Sequence, residues 1–285
     1  ILGLLIRAAV GRALAPLEQV RGEIGQRGVL HLHALDSQGL PAEVAPLVGA
    51  LNDLLGRLDQ AMLGQRRFIA DAAHELRTPL TAVKLQAQIA RRAPTAEERD
   101  TALAQLAEGV DRAAHLVDQL LDMARLEPEA RQVEFTPVAL DALIKQEVGK
   151  FSAQAEARGI DLGVGECASL AVPGQTGNLR VMLENLIDNA LRYTPAGGSV
   201  TVSSGVSGGR PYLAVDDDGP GIPEAERSRV CDRFYRIPGA SGDGCGLGLA
   251  IVREIAQLHG GELELAEANG GGLHIALRFP AAAGR

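Results

Sequence analysis

Tryptophan is absent from these 285 residues, and five phenylalanines and three tyrosines hold aromatic content to 3%. So few rings, beside abundant Ala and Leu, argue against a large β core and for narrow helix seams. Cysteine is equally sparse. Cys167, Cys231 and Cys245 show no paired spacing, which excludes a disulfide framework or a thiol metal site and suits a reducing cytosol. Positive charge is in deficit: 28 Lys and Arg against 36 Asp and Glu leave a net charge of −8. That balance excludes nucleic acid as the main partner, because phosphate binding needs a basic surface. A long apolar run is missing too. Ile1-Leu2-Gly3-Leu4-Leu5-Ile6 stops at Arg7, short of the roughly 20 residues that cross a bilayer. It reads either as a buried helix start or as the last turns of a spanning helix, with Arg7 and Arg12 on the cytoplasmic side. It lacks the charge, apolar core and small-residue cleavage site of a leader peptide.

What is present is length for more than one domain and an ordinary 46% of hydrophobic residues. Val10, Leu14, Leu17, Val20 and Ile24 recur at helical spacing, as do Val44, Leu47, Leu51, Leu54, Leu58 and Met62. The stretch from Gly25 to Pro41, bearing Gly, Ser and Pro, breaks the two apart. Such single stripes suit a parallel coiled-coil bundle in a dimer, or a pair of surface helices. A clearer heptad seam follows at Ile69, Ala73, Leu76, Leu80, Val83, Ala87 and Ala90. After Pro94, Thr95-x-x-Glu98 is a capping box opening a second helix with seam Leu103, Leu106, Val110, Ala113, Val117, Leu120 and Ala124. Pro128 closes it, and two such hairpins make a four-helix bundle.

Beyond a linker near Glu127–Arg131 the period changes. β-like runs at Val133–Phe135, Ser199–Val206, Tyr212–Val215, Glu262–Leu265 and Leu273–Phe279 alternate with helical segments Leu140–Ala157, Asn178–Leu191 and Leu247–His259. The pattern predicts a separate α/β domain, a sheet with helices packed against it.

Four short motifs carry chemistry. His74 sits beside the first seam and faces outward, next to Glu75, which can hold one imidazole nitrogen and leave the other as a nucleophile. Thr78 shares its face one turn on, and Pro79 interrupts the helix ladder. Alone, His74 reads as a solvated histidine. Asn185 and Asn189 are four apart on one helix face, with Arg192 and Tyr193 a turn further. Side-chain oxygens there suit Mg²⁺, although a plain polar face fits equally. Asp217-Asp218-Gly219-Pro220-Gly221-Ile222 follows an apolar strand; Asp217 can accept from an exocyclic amine, and Gly219 and Gly221 let backbone approach a ring. Gly244-Cys245-Gly246-Leu247-Gly248-Leu249 opens a helix, the arrangement that binds phosphate through backbone N–H groups.

Each motif is weak alone, but their order is specific. With Asp232-Arg233-Phe234-Tyr235-Arg236 between the glycine motifs, and His-Glu-Leu-Arg-Thr-Pro-Leu from His74, the chain resembles the bacterial two-component sensor histidine kinases. The resemblance implies a multidomain α and α/β fold. Residues 1–7 would end a truncated transmembrane helix and 8–61 form a HAMP-like coiled-coil linker. Residues 62–127 would form the dimerisation and phosphotransfer hairpin, and 132–281 an α/β sandwich of the gyrase and Hsp90 ATPase type.

The resemblance also implies roles. His74 takes the γ-phosphoryl of ATP, assisted by Glu75 and Arg236, and passes it to an aspartate of a response regulator. Thr78 orients water for dephosphorylating that regulator. Asp217 holds the adenine amine near Gly219, Gly221 and Ile222, and Tyr193 flanks the base. Asn185 and Asn189 place Mg²⁺, with Arg192 nearby in a position where many members have Lys. Gly244, Gly246, Leu247, Gly248 and Leu249 cradle the phosphates, and residues 223–243 form a lid. The implied setting is a homodimer on the inner membrane, facing the cytoplasm, anchored by upstream helices and partnered by a cognate response regulator.

Overall fold

The computed structural model describes residues 2–3, 7, 45–126, 134–239, 244–268 and 271–281; the expected helix at Val10–Ile24, its connector to Pro41, the linker and Pro128 lie outside them. The chain divides into two compact units, Ile1–Ala73 and His74–Arg285, with the boundary inside a long helix. That helix, α1, runs unbroken over Ala45–Arg92 and continues through Pro79. Among the described residues no helix is long and apolar enough to cross a membrane.

In the second unit, α1 from His74 onward is followed by α2 (Ala96–Arg125). Thr95 starts α2 in extended conformation and its hydroxyl accepts the backbone N–H of Glu98 at 3.2 Å. Glu97 and Glu98 add charge of the favourable sign to the first turn. The two helices pack closely at Gly109, where an added Cβ would lie 2.9 Å from Val83 Cγ2.

The stripe that α2 buries is not the expected seam. Ala102, Gly109, Leu116, Gln119 and Met123 are buried, at heptad-like spacing. Leu103, Val110 and Val117 stay 42–48% exposed, and Leu80 on α1 is 56% exposed. Each hairpin helix carries apolar groups on more than one side, and one chain covers only one of them.

The α/β part begins with β1 (Thr136–Ala139), α3 (Leu140–Ala157), β2 (Asp161–Cys167), β3 (Ala171–Gly174) and α4 (Thr176–Tyr193). It continues with β4 (Ser199–Ser207), β5 (Arg210–Asp217), the short α5 (Glu224–Arg227), α6 (Gly248–Leu258), β6 (Glu262–Glu267) and β7 (Leu273–Arg278). One sheet has the order β2-β4-β5-β7-β6, parallel only between β2 and β4. A second pairs β1 with β3. On β4, Val200, Val202 and Ser204 point inward while the alternate positions are half-exposed, so one face of the large sheet carries the helices.

The helical segments and four of the five strand runs fall where the pattern predicts, within a few residues. The strand expected at Val133–Phe135 does not: Glu134 and Phe135 are irregular, Val133 lies outside the described residues, and the strand is Thr136–Ala139. Pro137 there faces Pro173 of β3. Two residues without N–H groups are tolerated because this ladder is an edge pair, a place where apolar alternation is not required. β2 was also not foreseen. Gly163 and Gly165 dilute its pattern, and its pairing to β4 slips between Val164 and Cys167.

The core is built by α4, which buries Leu179, Met182, Leu183, Leu186, Ile187 and Leu191 at spacings of three and four. The helix packs against β4, β5 and α6, where Val202, Leu213, Ile251 and Ile255 are fully buried, as is Leu277 of β7. Burying a Leu or Ile of this kind contributes about 1.5–3 kcal/mol.

Candidate functional site

Because α4 spends one face on the core, its neighbouring face is fixed in direction. That face carries Asn185, Asp188, Asn189 and Arg192, all lining a single cavity. Arg192 Nη2 donates to Asp188 Oδ2 at 2.8 Å, one turn back. Asn185 Nδ2 donates to the Val181 carbonyl at 2.8 Å, which commits the amide nitrogen to the helix and leaves Oδ1 to face outward. Tyr193, at the end of α4, lines the same cavity.

Opposite lies the end of β5. Asp217 is buried, and its Oδ1 accepts the N–H of Gly219 at 2.8 Å and that of Leu273 at 3.3 Å. The second carboxylate oxygen is left for a ligand in the cavity that Asp217 lines. Burial pushes this carboxyl above the ordinary aspartate range, offset in part by those two N–H groups and raised further by Asp218 and Asp216. An added donor from a ligand would favour the ionised form. Gly221 and Ile222 line the cavity, whereas Gly219 serves from behind through its bond to Asp217.

The third wall is the glycine turn at the start of α6. Gly244, Gly246, Gly248 and Leu249 line the cavity; Leu247 does not, being fully buried in the core. Gly246 has φ of 75°, and a Cβ there would sit 2.6 Å from the Tyr235 carbonyl oxygen. Only glycine fits so close an approach. Its carbonyl accepts the N–H of Phe234 at 3.0 Å, and Phe234 itself holds φ of 61°. A bulky residue in that region costs about 1–3 kcal/mol and marks a segment held by its surroundings. Next to it, the Tyr235 hydroxyl donates to Glu226 and the Arg229 guanidinium lies 4.3 Å over the ring. These contacts join Tyr235 to α5 and to Arg229 just beyond it, within the described part of the expected lid; residues 240–243 lie outside the described set.

Arg236 lines this cavity and also a second, more open cleft that Glu75 and Thr78 border. Arg192, Gly244 and Cys245 are shared in the same way. His74 lines neither. Its side chain is 75% exposed, and its Nδ1 lies 3.7 Å from Glu75 Oε1, an electrostatic contact longer than a hydrogen bond.

Several residues at the cavity or next to it in the chain were not singled out beforehand. Gln119 of α2 reaches it from the hairpin, which no periodicity reveals. Cys245 is the non-glycine member of the turn, and burial keeps its thiol protonated by raising its pKa. Gly272 has φ of 86°, and a Cβ there would lie 1.8 Å from the Asp217 carbonyl oxygen. The run Gly270-Gly271-Gly272 was a visible signal for it.

The donor set fits a magnesium nucleotide. Mg²⁺ prefers one or two protein oxygens and keeps its remaining positions for water and phosphate. Asn185 has a side-chain oxygen of the kind Mg²⁺ takes, and among the described residues no cluster of His, Cys, Asp and Glu offers a rival metal cage.

Three family models match. The "Histidine kinase-, DNA gyrase B-, and HSP90-like ATPase" model covers residues 174–283, the "His Kinase A (phospho-acceptor) domain" residues 64–129, and a "Sensor protein PhoQ-like, HAMP domain" residues 14–60. The chain is 38% identical to the sensor protein kinase PmrB of Pseudomonas aeruginosa, over 98% of this chain and 59% of that protein. It is 34% identical to the sensor protein BasS of Escherichia coli, over 90% of this chain and 69% of that one. The chain thus spans about three fifths of the length of PmrB. Its fold resembles that of the histidine kinase AdeS of Acinetobacter baumannii, with a TM-score of 0.56 at 24% identity, covering 73% of this chain and 98% of that one.

Proposed function

Because this chain belongs to the bacterial two-component sensor histidine kinases, we propose that it moves the γ-phosphoryl group of ATP onto its own His74 and then onto an aspartate of a response regulator. The observation that carries this reading is the position of Arg236. It lines both the cavity formed by the asparagine, aspartate and glycine motifs and the cleft that Glu75 and Thr78 border. A cation there is placed to follow a phosphoryl group from one to the other.

The family resemblance suggests the following roles, and the geometry supports them. Asp217 accepts the adenine amine on its free oxygen, and Tyr193 flanks the base. The N–H groups of the Gly244–Leu249 turn and the start of α6 receive the phosphates. Bound at Asn185 and Asn189, Mg²⁺ supplies charge neutralisation on those phosphates. Arg192, held by Asp188, keeps a second positive charge beside them. Glu75 faces Nδ1 of His74, so a neutral imidazole with its proton on Nδ1 presents Nε2 as nucleophile. As the Nε2–P bond forms and the P–O bond to ADP breaks, the Nδ1 proton passes to Glu75. Thr78, one turn from His74, orients water when the regulator is dephosphorylated.

His74 borders neither space, so the nucleotide domain moves relative to the hairpin for transfer to occur. The exposed apolar positions Leu80, Leu103, Val110 and Val117 support a dimeric four-helix bundle as the setting. The HAMP match over residues 14–60 and the apolar Ile1–Ile6 support a coiled-coil relay fed by membrane helices upstream, with the catalytic part in the cytoplasm. Incubating the protein with Mg²⁺ and γ-labelled ATP tests the reading: label on the protein that is base-stable and acid-labile is expected. Release of free phosphate with no protein label would instead indicate a plain ATPase.

A further inference from the structure

A side chain of the hairpin reaches into the metal corner of the nucleotide cavity. Gln119, on α2, is only 8% exposed and lies between Leu116 and Met123 on the stripe that α2 buries. Its Nε2 donates to Asn185 Oδ1 at 3.1 Å, and its Oε1 accepts the thiol of Cys245 at 2.8 Å. A polar side chain on an otherwise apolar stripe is costly unless its groups are paired, and here both ends are. The partners are the asparagine helix on one side and the glycine turn on the other, so one amide bridges the two walls of the cavity. Gly248 completes the fit, since a Cβ there would come 3.2 Å from Asn185 Oδ1 and 3.8 Å from Gln119 Nε2.

Asn185 has one atom to offer a cation. Its Nδ2 is committed to the Val181 carbonyl, so Oδ1 is the ligand, and Gln119 holds that oxygen with an N–H group. The N–H carries partial positive charge and occupies one of the two acceptor sites of that oxygen, where it repels a cation brought to the other. We propose that Gln119 is a latch that blocks metal loading: while α2 engages the nucleotide domain in this arrangement, Asn185 cannot present its oxygen to Mg²⁺. The inference rests on Asn185 being a metal ligand. Coupling between two equilibria is reciprocal, so a magnesium nucleotide releases the latch, and weakening the latch tightens the magnesium nucleotide. The kinase would then be held inactive by the contact that separates its nucleotide domain from His74, and loading would itself free the domain to move.

The test uses the full chain and a fluorescent ATP analogue, titrated in excess Mg²⁺ and again in EDTA. Gln119→Leu keeps the apolar contact and removes the amide; Gln119→Asn keeps the amide and shortens its reach. Both should tighten binding in Mg²⁺ by roughly three- to tenfold, the effect of losing one or two ordinary hydrogen bonds from the competing state. Neither should shift binding in EDTA by more than about twofold, because without Mg²⁺ the held oxygen has no cation to exclude and the ligand does not distinguish the two states through it. Unchanged binding in Mg²⁺ overturns the latch, and so does weaker binding, which would make Gln119 a residue that holds the metal. Asn185→Ala separates the underlying reading: it should abolish the gain from Mg²⁺. If that gain survives in Asn185→Ala, the metal assignment fails and the latch falls with it. If the gain is lost, the Gln119 variants alone decide.

Discussion

Asp217 Oδ1 accepts the backbone N–H of Gly219 at 2.8 Å, so the carboxylate that faces the cavity also shapes the turn beyond it. Two oxygens therefore have two tasks, one structural and one for the ligand. In Asp217→Asn an amide oxygen can still accept from Gly219, while the charge that receives an adenine amine is gone. The isosteric amide keeps an oxygen for the Gly219 and Leu273 N–H groups, so the fold should be little changed. The expected outcome is a loss of about tenfold or more in nucleotide affinity with a thermal midpoint within a few degrees of the parent. Calorimetric titration and thermal denaturation check the two halves; parallel losses in both would contradict it.

Gly272 and Asp217 touch through their backbones, and the carbonyl oxygen of Asp217 occupies the space of a side chain at 272. Gly272→Ala therefore meets both a left-handed backbone and a 1.8 Å overlap with backbone that cannot rotate away. The start of β7 has to shift, taking with it the Leu273 N–H that supports Asp217. A destabilisation of several kcal/mol, about the size seen for severe core changes, is expected in urea unfolding.

The backbone N–H of Gln175, at the start of α4, donates to Nε2 of His259 at 3.1 Å, and Nδ1 of the same ring faces the Ile255 carbonyl at 2.8 Å. With Nδ1–H as donor, Nε2 accepts, and the ring is neutral. Burial lowers its pKa below the usual histidine range. The contribution is therefore fully present above the unfolded value near 6.5 and is lost as pH falls through the lower folded value. His259→Gln should be less stable than the parent at about pH 7.5, with the gap narrowing toward about pH 5.5. A gap independent of pH, in paired denaturation curves, would contradict the assignment. His274, whose pKa Asp216 raises through a 2.7 Å contact, runs the other way in both proteins and cancels in the comparison.

Leu103 and Val110 are 48% and 46% exposed on one face of α2. If a second copy covers them, Leu103→Asp with Val110→Asp places two charges in an apolar seam and the assembly dissociates. Light scattering should show the parent as a dimer and the double variant as a monomer, with nucleotide binding retained.

The sequence displayed the helices and most strands because their apolar periods were long and uninterrupted. It showed the asparagine, aspartate and glycine motifs because each needs rare residue types at fixed spacing. β1, β3 and β2 were hidden by Pro137, Pro173, Gly163 and Gly165, which erase the alternation that marks a strand. The seams on α1 and α2 were legible as apolar stripes, yet which stripe one chain buries depends on the tertiary partner. That is why Leu116 and Met123 were not foreseen as buried while Val117 was. Gln119 escaped for the same reason: its place in the cavity comes from how α2 meets α4 and α6, and nothing local to Gln119 signals it.

The central claim is that His74 receives the phosphoryl group. His74→Gln removes the nucleophile from a side chain that is 75% exposed and lines neither cavity, so folding and nucleotide binding should be untouched. With γ-labelled ATP and Mg²⁺, the account predicts acid-labile label on the parent and none on His74→Gln, at equal nucleotide affinity. Continued labelling of His74→Gln would contradict it.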